Sequence, residues 1–178
     1  RDLQIKINAT EEGGTINLMN NYTFNESDNE ISITKAITIN GNGFTINGLE
    51  KSRIFNIEAS NIVLKNIIFV NGKSDLGGAI IFNNDVSHIV IDNCKFINNF
   101  ATKNGGAVYI DFRDYSFRGS AEIKKSRFIN TTGDYGGALV QLLNSLKLED
   151  CEFFDNAALY HGGAIYLSGV DATIKNTL

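Results

Sequence analysis

The 178-residue chain contains no proline and no tryptophan, only two cysteines and two histidines, no run of basic residues and no long apolar stretch. Most of these shortages remove a class of answer. Sixteen Lys and Arg against 20 Asp and Glu give a formal net charge of −4 with the signs interleaved. Without a basic cluster there is no electrostatic footprint for nucleic acid or for an anionic membrane. No segment approaches the ~18 consecutive apolar residues of a transmembrane helix. The opening RDLQIKINA has neither an initiating Met nor the charged, apolar and small-residue regions of a signal peptide. Targeting signals and any anchor are therefore expected outside this stretch. No 3.6-residue apolar pattern is long enough to predict a helix.

What is present is Gly and Asn. Seventeen glycines and an excess of Asn supply the two residue types that best tolerate left-handed backbone, so many tight turns are expected. The turns come on a schedule. Gly-Gly-Ala followed by an apolar pair starts at Gly77, Gly105, Gly136 and Gly162, every 26 to 31 residues. Phe69, Phe96, Phe128 and Phe153 precede these by 8 or 9 residues. A β-branched run lies further upstream in each unit, centred on Leu64, Ile91, Ile123, Leu148 and Ile174, with Ile39 as an earlier member.

A period in the twenties built from three short apolar segments points to a solenoid. Leucine-rich repeats lack their fixed spacing here, and propeller blades need about 40 residues each. The expected fold is all-β: a right-handed parallel β-helix with three strands per coil and about six coils. Residues 1–12 are expected to cap it, residues 13–178 to form the coils, and the natural protein to continue past Leu178 as a longer surface protein.

Stacking predicts one internal column of Phe69, Phe96, Phe128 and Phe153. It also predicts a corner of Asn66, Asn93, Asp150 and Asn176, interrupted by Lys125, where Asn side chains form a ladder. Gly-Gly is expected at a further corner, where either a positive φ is required or a side chain would strike the neighbouring coil. Cys94 and Cys151 fall in one inward column with Ser126 between them. Their Cα atoms are then about 10 Å apart, two coils of ~4.8 Å, too far for a disulfide. Buried free thiols are predicted.

Two stretches could bind. DFRDYSFRGS, residues 111–120, is an insertion in one coil, and Phe112, Arg113, Tyr115, Phe117 and Arg118 could present stacking surfaces and donors from a projecting loop. Alternation also turns Ile81, Tyr109, Val140 and Tyr166 outward as an apolar ladder, if Ile80, Val108, Leu139 and Ile165 point inward. That register sends Gln141 into the core, which argues against it.

The motifs GGAI, GGAV and GGAL, with FINN at Phe96 and FFDN at Phe153, resemble the GGA[ILV] and FxxN repeats of chlamydial polymorphic outer-membrane proteins. The run GGTINL, then ISITKAITINGNGFTING, then RIFNI is similar to the opening of adhesin-like surface proteins of methanogenic archaea, which share a pectate-lyase-like right-handed β-helix. The resemblance implies a secreted, cell-surface protein used for attachment to a glycan or protein of another cell. It brings no catalytic residues.

The same solenoid also carries enzymes, so a lyase or hydrolase acting on acidic polysaccharide is the second reading and a mechanical spacer the third. The NTD, DD, GHG and RIK signatures of polygalacturonases are absent. Asp75 and Asp134 share a position before Gly-Gly, but Lys103 and Tyr160 occupy it in the other coils, so no acidic column forms for calcium. His88 and His161 lie more than two coils apart and are read as surface residues. The expectation is a non-catalytic, monomeric attachment domain without metal or cofactor. The sequons at Asn8, Asn21, Asn25 and Asn130 are compatible with a secreted surface.

Overall fold

The computed structural model describes residues 2–83, 86–112 and 118–178. Short β-branched segments bounded by Asn, Asp or Gly form strands of two to five residues, all paired in parallel between successive coils. Burial alternates along them, as in Ile62–Lys65 and Ile89–Asp92, because period-two side chains divide between core and solvent. The result is the expected parallel β-solenoid of about six turns.

The coil holds one strand more than the repeat predicts. Three sheets run along the molecule, of seven, six and six strands. The long sheet contains Ile62–Lys65, Ile89–Asp92 and Ser120–Lys124. The phenylalanine sheet contains Ile68–Val70, Lys95–Ile97 and Arg127–Ile129. The post-glycine sheet contains Ile80–Phe82, Val108–Asp111 and Leu139–Leu142. A fourth sheet of four strands, Lys73–Leu76, Phe100–Asn104, Thr132–Tyr135 and Ala157–His161, fills the side just before each Gly-Gly. Its strands are mostly polar and bulged, so no apolar run announces them.

The corners explain the repeat. Asn66, Asn93, Lys125, Asp150 and Asn176 all take left-handed φ, between 47° and 57°. Near them Asn40 donates to Asn17, Asn66 to Asn40 and Asn93 to Asn66, a ladder that ends where Lys125 follows. The Gly-Gly corner requires glycine twice for different reasons. Gly105 has φ of 69°, whereas a Cβ on Gly106 would sit 2.1 Å from the carbonyl of Gly137 in the next coil.

Inside, the Phe69, Phe96, Phe128 and Phe153 rings stack nearly parallel at centroid separations of 4.7–4.9 Å, the rise of one coil. Cys94, Ser126 and Cys151 share the inward column as expected, and both cysteines are buried and free. Burial drives the Cys94 thiol up to about 12 and raises that of Cys151.

Asn99 and Asn156, the last residues of the two FxxN motifs, also turn inward. The Asn99 amide donates to Phe69 O and accepts from Gly72 N; Asn156 does the same to Phe128 O and Thr131 N. Gly72 and Thr131 hold the equivalent place in the intervening coils. A long amide therefore braces every second coil to the backbone beneath it.

Outside, the long sheet carries an alternating charge column: Lys65, Asp92, Lys124, Glu149 and Lys175 are register partners in sequence.

A helix, Asp2–Ala9, covers the first coil, burying Leu3 and Ile7. Only these two apolar residues, four apart, mark its inner face, so the sequence does not show a helical period. Gln4 stands in for a strand: its amide donates to Ser32 O and accepts from Ser32 N, pairing an edge that would otherwise be open.

Candidate interaction face

The structure divides the predicted binding residues. Phe112 is fully buried in the main core, with its ring where a Cβ on Gly119 would lie at 2.7 Å. It anchors the insertion and offers no surface, because the apolar area of an aromatic draws it inward even from a polar insertion. Arg113, Tyr115 and Phe117 lie outside the described residues. Arg118 is exposed, beside a shallow depression that it lines with Asn144, Ser145 and Asp171.

The outward column forms as predicted, with Ile81, Tyr109, Val140 and Tyr166 in register. Gln141 does face inward and is fully buried. It is tolerated because its amide nitrogen donates to Leu143 O and Ser145 O, although Oε1 has no partner among the described residues. The column is less open than simple alternation implies. Tyr109 is 8% exposed and Val140 1%, because Leu76, Leu142 and Tyr166 pack against them.

That packing defines the shape of the face. Leu76 and Tyr135 end fourth-sheet strands just before Gly-Gly, and Ile81 and Tyr166 follow it. The Tyr135 and Tyr166 rings are 5.4 Å apart, edge to face. Outward side chains diverge across a convex corner and meet only across a re-entrant one. The outer side of the Gly-Gly corner is therefore a shallow re-entrant strip, a channel largely filled by these aromatic and aliphatic side chains.

Three residues of this channel were not singled out as binding residues from the sequence. Tyr135 lies centrally, with the Tyr160 and His161 ring centroids each 5.5 Å away and that of Tyr166 5.4 Å away. Tyr160 is 61% exposed. The signal is present as spacing: Tyr135 and Tyr160 stand one and two residues before Gly-Gly.

The channel rim carries mixed charge. Asp75, Lys103 and Asp134 hold the position that Tyr160 holds in the last coil, each just before a register partner. Burial alone would raise the Asp75 carboxyl, but the Leu76 N–H and the Arg53 guanidinium hold it below its ordinary value.

A family model described as the Chlamydia polymorphic membrane protein repeat matches residues 93–111 and 150–168. No curated protein and no solved structure matches the chain. Each matched segment starts at a left-handed corner, Asn93 or Asp150. It then runs through an inward cysteine, a stacked Phe and the amide brace of Asn99 or Asn156 to the Gly-Gly corner and the strand beyond. The two matched coils are those with the brace. The similarity thus covers the turn chemistry and the far wall of the channel.

Proposed function

We propose that this chain is a surface-displayed attachment segment, a non-catalytic solenoid that presents its Gly-Gly channel to a glycan or protein of another cell. The observation that carries this reading is the match of residues 93–111 and 150–168, each part of one coil, to a repeat of polymorphic membrane proteins. Both segments end on channel residues, Tyr109 in one and Tyr160, His161 and Tyr166 in the other. The N-terminal likeness to methanogen adhesin-like proteins fits the same reading, with the protein outside the cell and any anchor elsewhere in its sequence. Fold alone does not assign function; the exposed aromatic group adds a place where contact can occur.

The test is adhesion by the purified chain. Beads coated with it should bind one or more of a set of bacterial, archaeal and animal cell surfaces above an uncoated control. In parallel, pectic and other acidic polysaccharides are incubated with the chain, with and without calcium, and new reducing or unsaturated ends are followed. Turnover would overturn the attachment reading in favour of a carbohydrate-active enzyme, and folded chain that binds no surface would overturn it in favour of a spacer.

A further inference from the structure

The chain contains five Asn-Gly pairs: Asn40–Gly41, Asn42–Gly43, Asn47–Gly48, Asn71–Gly72 and Asn104–Gly105. Such pairs lose ammonia readily, because glycine has no Cβ to hinder attack of its backbone nitrogen on the preceding side-chain amide. The attack requires a nitrogen that can shed its proton. A hydrogen bond from the glycine N–H therefore keeps the pair inert.

All five nitrogens are engaged, but not in the same way. Gly41 N donates to Lys65 O, Gly43 N to Asn66 O, Gly48 N to Val70 O and Gly105 N to Tyr135 O, at 2.8–2.9 Å. These acceptors are backbone carbonyls of the next coil, and they are lost only when coils separate. Gly72 N donates instead to a side chain, the buried Asn99 Oδ1, at 2.8 Å. The flanking amides keep backbone partners, with Asn71 N on Ile97 O and Phe100 N on Gly72 O. Removing one side chain thus frees this nitrogen while the coils stay stacked. The amide under attack is held as well: Asn71, at a left-handed φ of 55°, donates from Nδ2 to Asn47 Oδ1.

We propose that Asn71–Gly72 is a latent deamidation site and that Asn99 is its lock. Once the lock opens, Gly72 N passes its proton to solvent base and attacks Asn71 Cγ. The N–Cγ bond forms, the Cγ–Nδ2 bond breaks, and the nitrogen leaves as ammonia with a proton from water, giving a succinimide. Water then opens either imide carbonyl to yield Asp or isoaspartate. Both products set a carboxylate against Asn47 Oδ1 where an amide donor stood, and two acceptors cannot pair. Isoaspartate also adds a backbone carbon at a corner whose geometry the adjacent coils must match.

The full chain, Asn99→Ala and Asn99→Asp are kept folded in mildly alkaline buffer, as checked by circular dichroism. Each Asn-Gly pair is followed by peptide mass spectrometry, with enzymatic methylation of isoaspartate as a second readout. The chain in urea gives the five unprotected rates. Folded wild type should be slow at all five. In Asn99→Ala, Asn71 should accelerate about tenfold or more while the other four pairs stay within about twofold of wild type. Asn99→Asp keeps an oxygen acceptor for Gly72 N and should leave Asn71 slow, and it carries the test if the alanine variant does not fold. The proposal is overturned if Asn71 keeps its wild-type rate in folded Asn99→Ala, or if all five pairs accelerate together. It is equally overturned if Asn71 is as fast in folded wild type as in urea, or if it accelerates selectively in Asn99→Asp.

Discussion

The first two coils and the four that follow solve the same stacking problem differently. Residues 13–60 turn with Asn-Gly and related left-handed pairs, have no fourth strand, and rest under a helix. The coils from residue 61 onward keep left-handed corners such as Asn66 and Asn93 but add the Gly-Gly corner and the fourth strand, and stack Phe upon Phe. The seam is Arg53. In the later coils the first three Gly-Gly N–H pairs each donate to two carbonyls of the next coil, as Gly77 N does to Asn104 O and Gly78 N to Gly105 O. The first such coil has no Gly-Gly beneath it. The Arg53 guanidinium donates to Leu76 O and Gly77 O in place of the missing amides, and is held by Glu30 and Asp75. One side chain thus joins a polar-cornered region to a glycine-cornered one.

The sharpest way to break this comparison is to put the same methyl into both regions. Gly106→Ala drives Cβ into backbone atoms of the next coil, which cannot move without shifting the coil. It should cost ~3 kcal/mol or more in urea unfolding. Gly43→Ala meets nothing within 4 Å, so only its positive φ is penalised, at about 1 kcal/mol. Equal losses would mean that the Gly-Gly corner is not sterically special.

Arg53→Ala should come next, at ~2–3 kcal/mol, because two carbonyls and a partly buried carboxylate lose their partner. Arg53→Lys should recover little, since an ammonium cannot reproduce the fork. Rescue by Lys would show that charge alone holds the seam. The same unfolding measurement on Asn99→Ala should read about 2 kcal/mol, from leaving Gly72 N and Phe69 O unpaired. Thr131→Ala, which removes only a hydroxyl donating to Asn156 Oδ1 and leaves the backbone pairing in place, should lose less.

The smallest effect is a pH dependence at the seam. Asp75 titrates below its ordinary value when folded, so its contribution is complete above the unfolded value and disappears as pH falls through the folded one. The acid limb of stability, below about pH 4, should flatten slightly in Asp75→Asn. An unchanged limb would show that Arg53 depends on Glu30 alone.

What could be read in the sequence was whatever repeats. Coils, corners, the Phe column and the free thiols follow from in-phase copies of one phrase, because stacking forces equivalent residues into equivalent places. What occurs once, or carries no apolar signature, was invisible. Arg53 has no counterpart in the other coils, and KSDL and TGDY read as turn rather than strand. The cap helix shows only Leu3 and Ile7. Phe112 stands in an insertion, where an aromatic can be either displayed or an anchor; only its burial shows that it is the anchor. Tyr109 and Tyr166 were found through alternation, whereas Tyr135 and Tyr160 required knowing that the corner is re-entrant.

The alternating column on the long sheet has a consequence at a distance. Lys65, Asp92, Lys124, Glu149 and Lys175 repeat their sign every two coils, a wavelength of about 10 Å that matches the Debye length of about 8–10 Å in physiological salt. Potentials of opposite sign cancel over the same distance at which salt screens them. That face is electrically quiet to anything not already touching it, and a charged partner approaching the solenoid is not steered toward it.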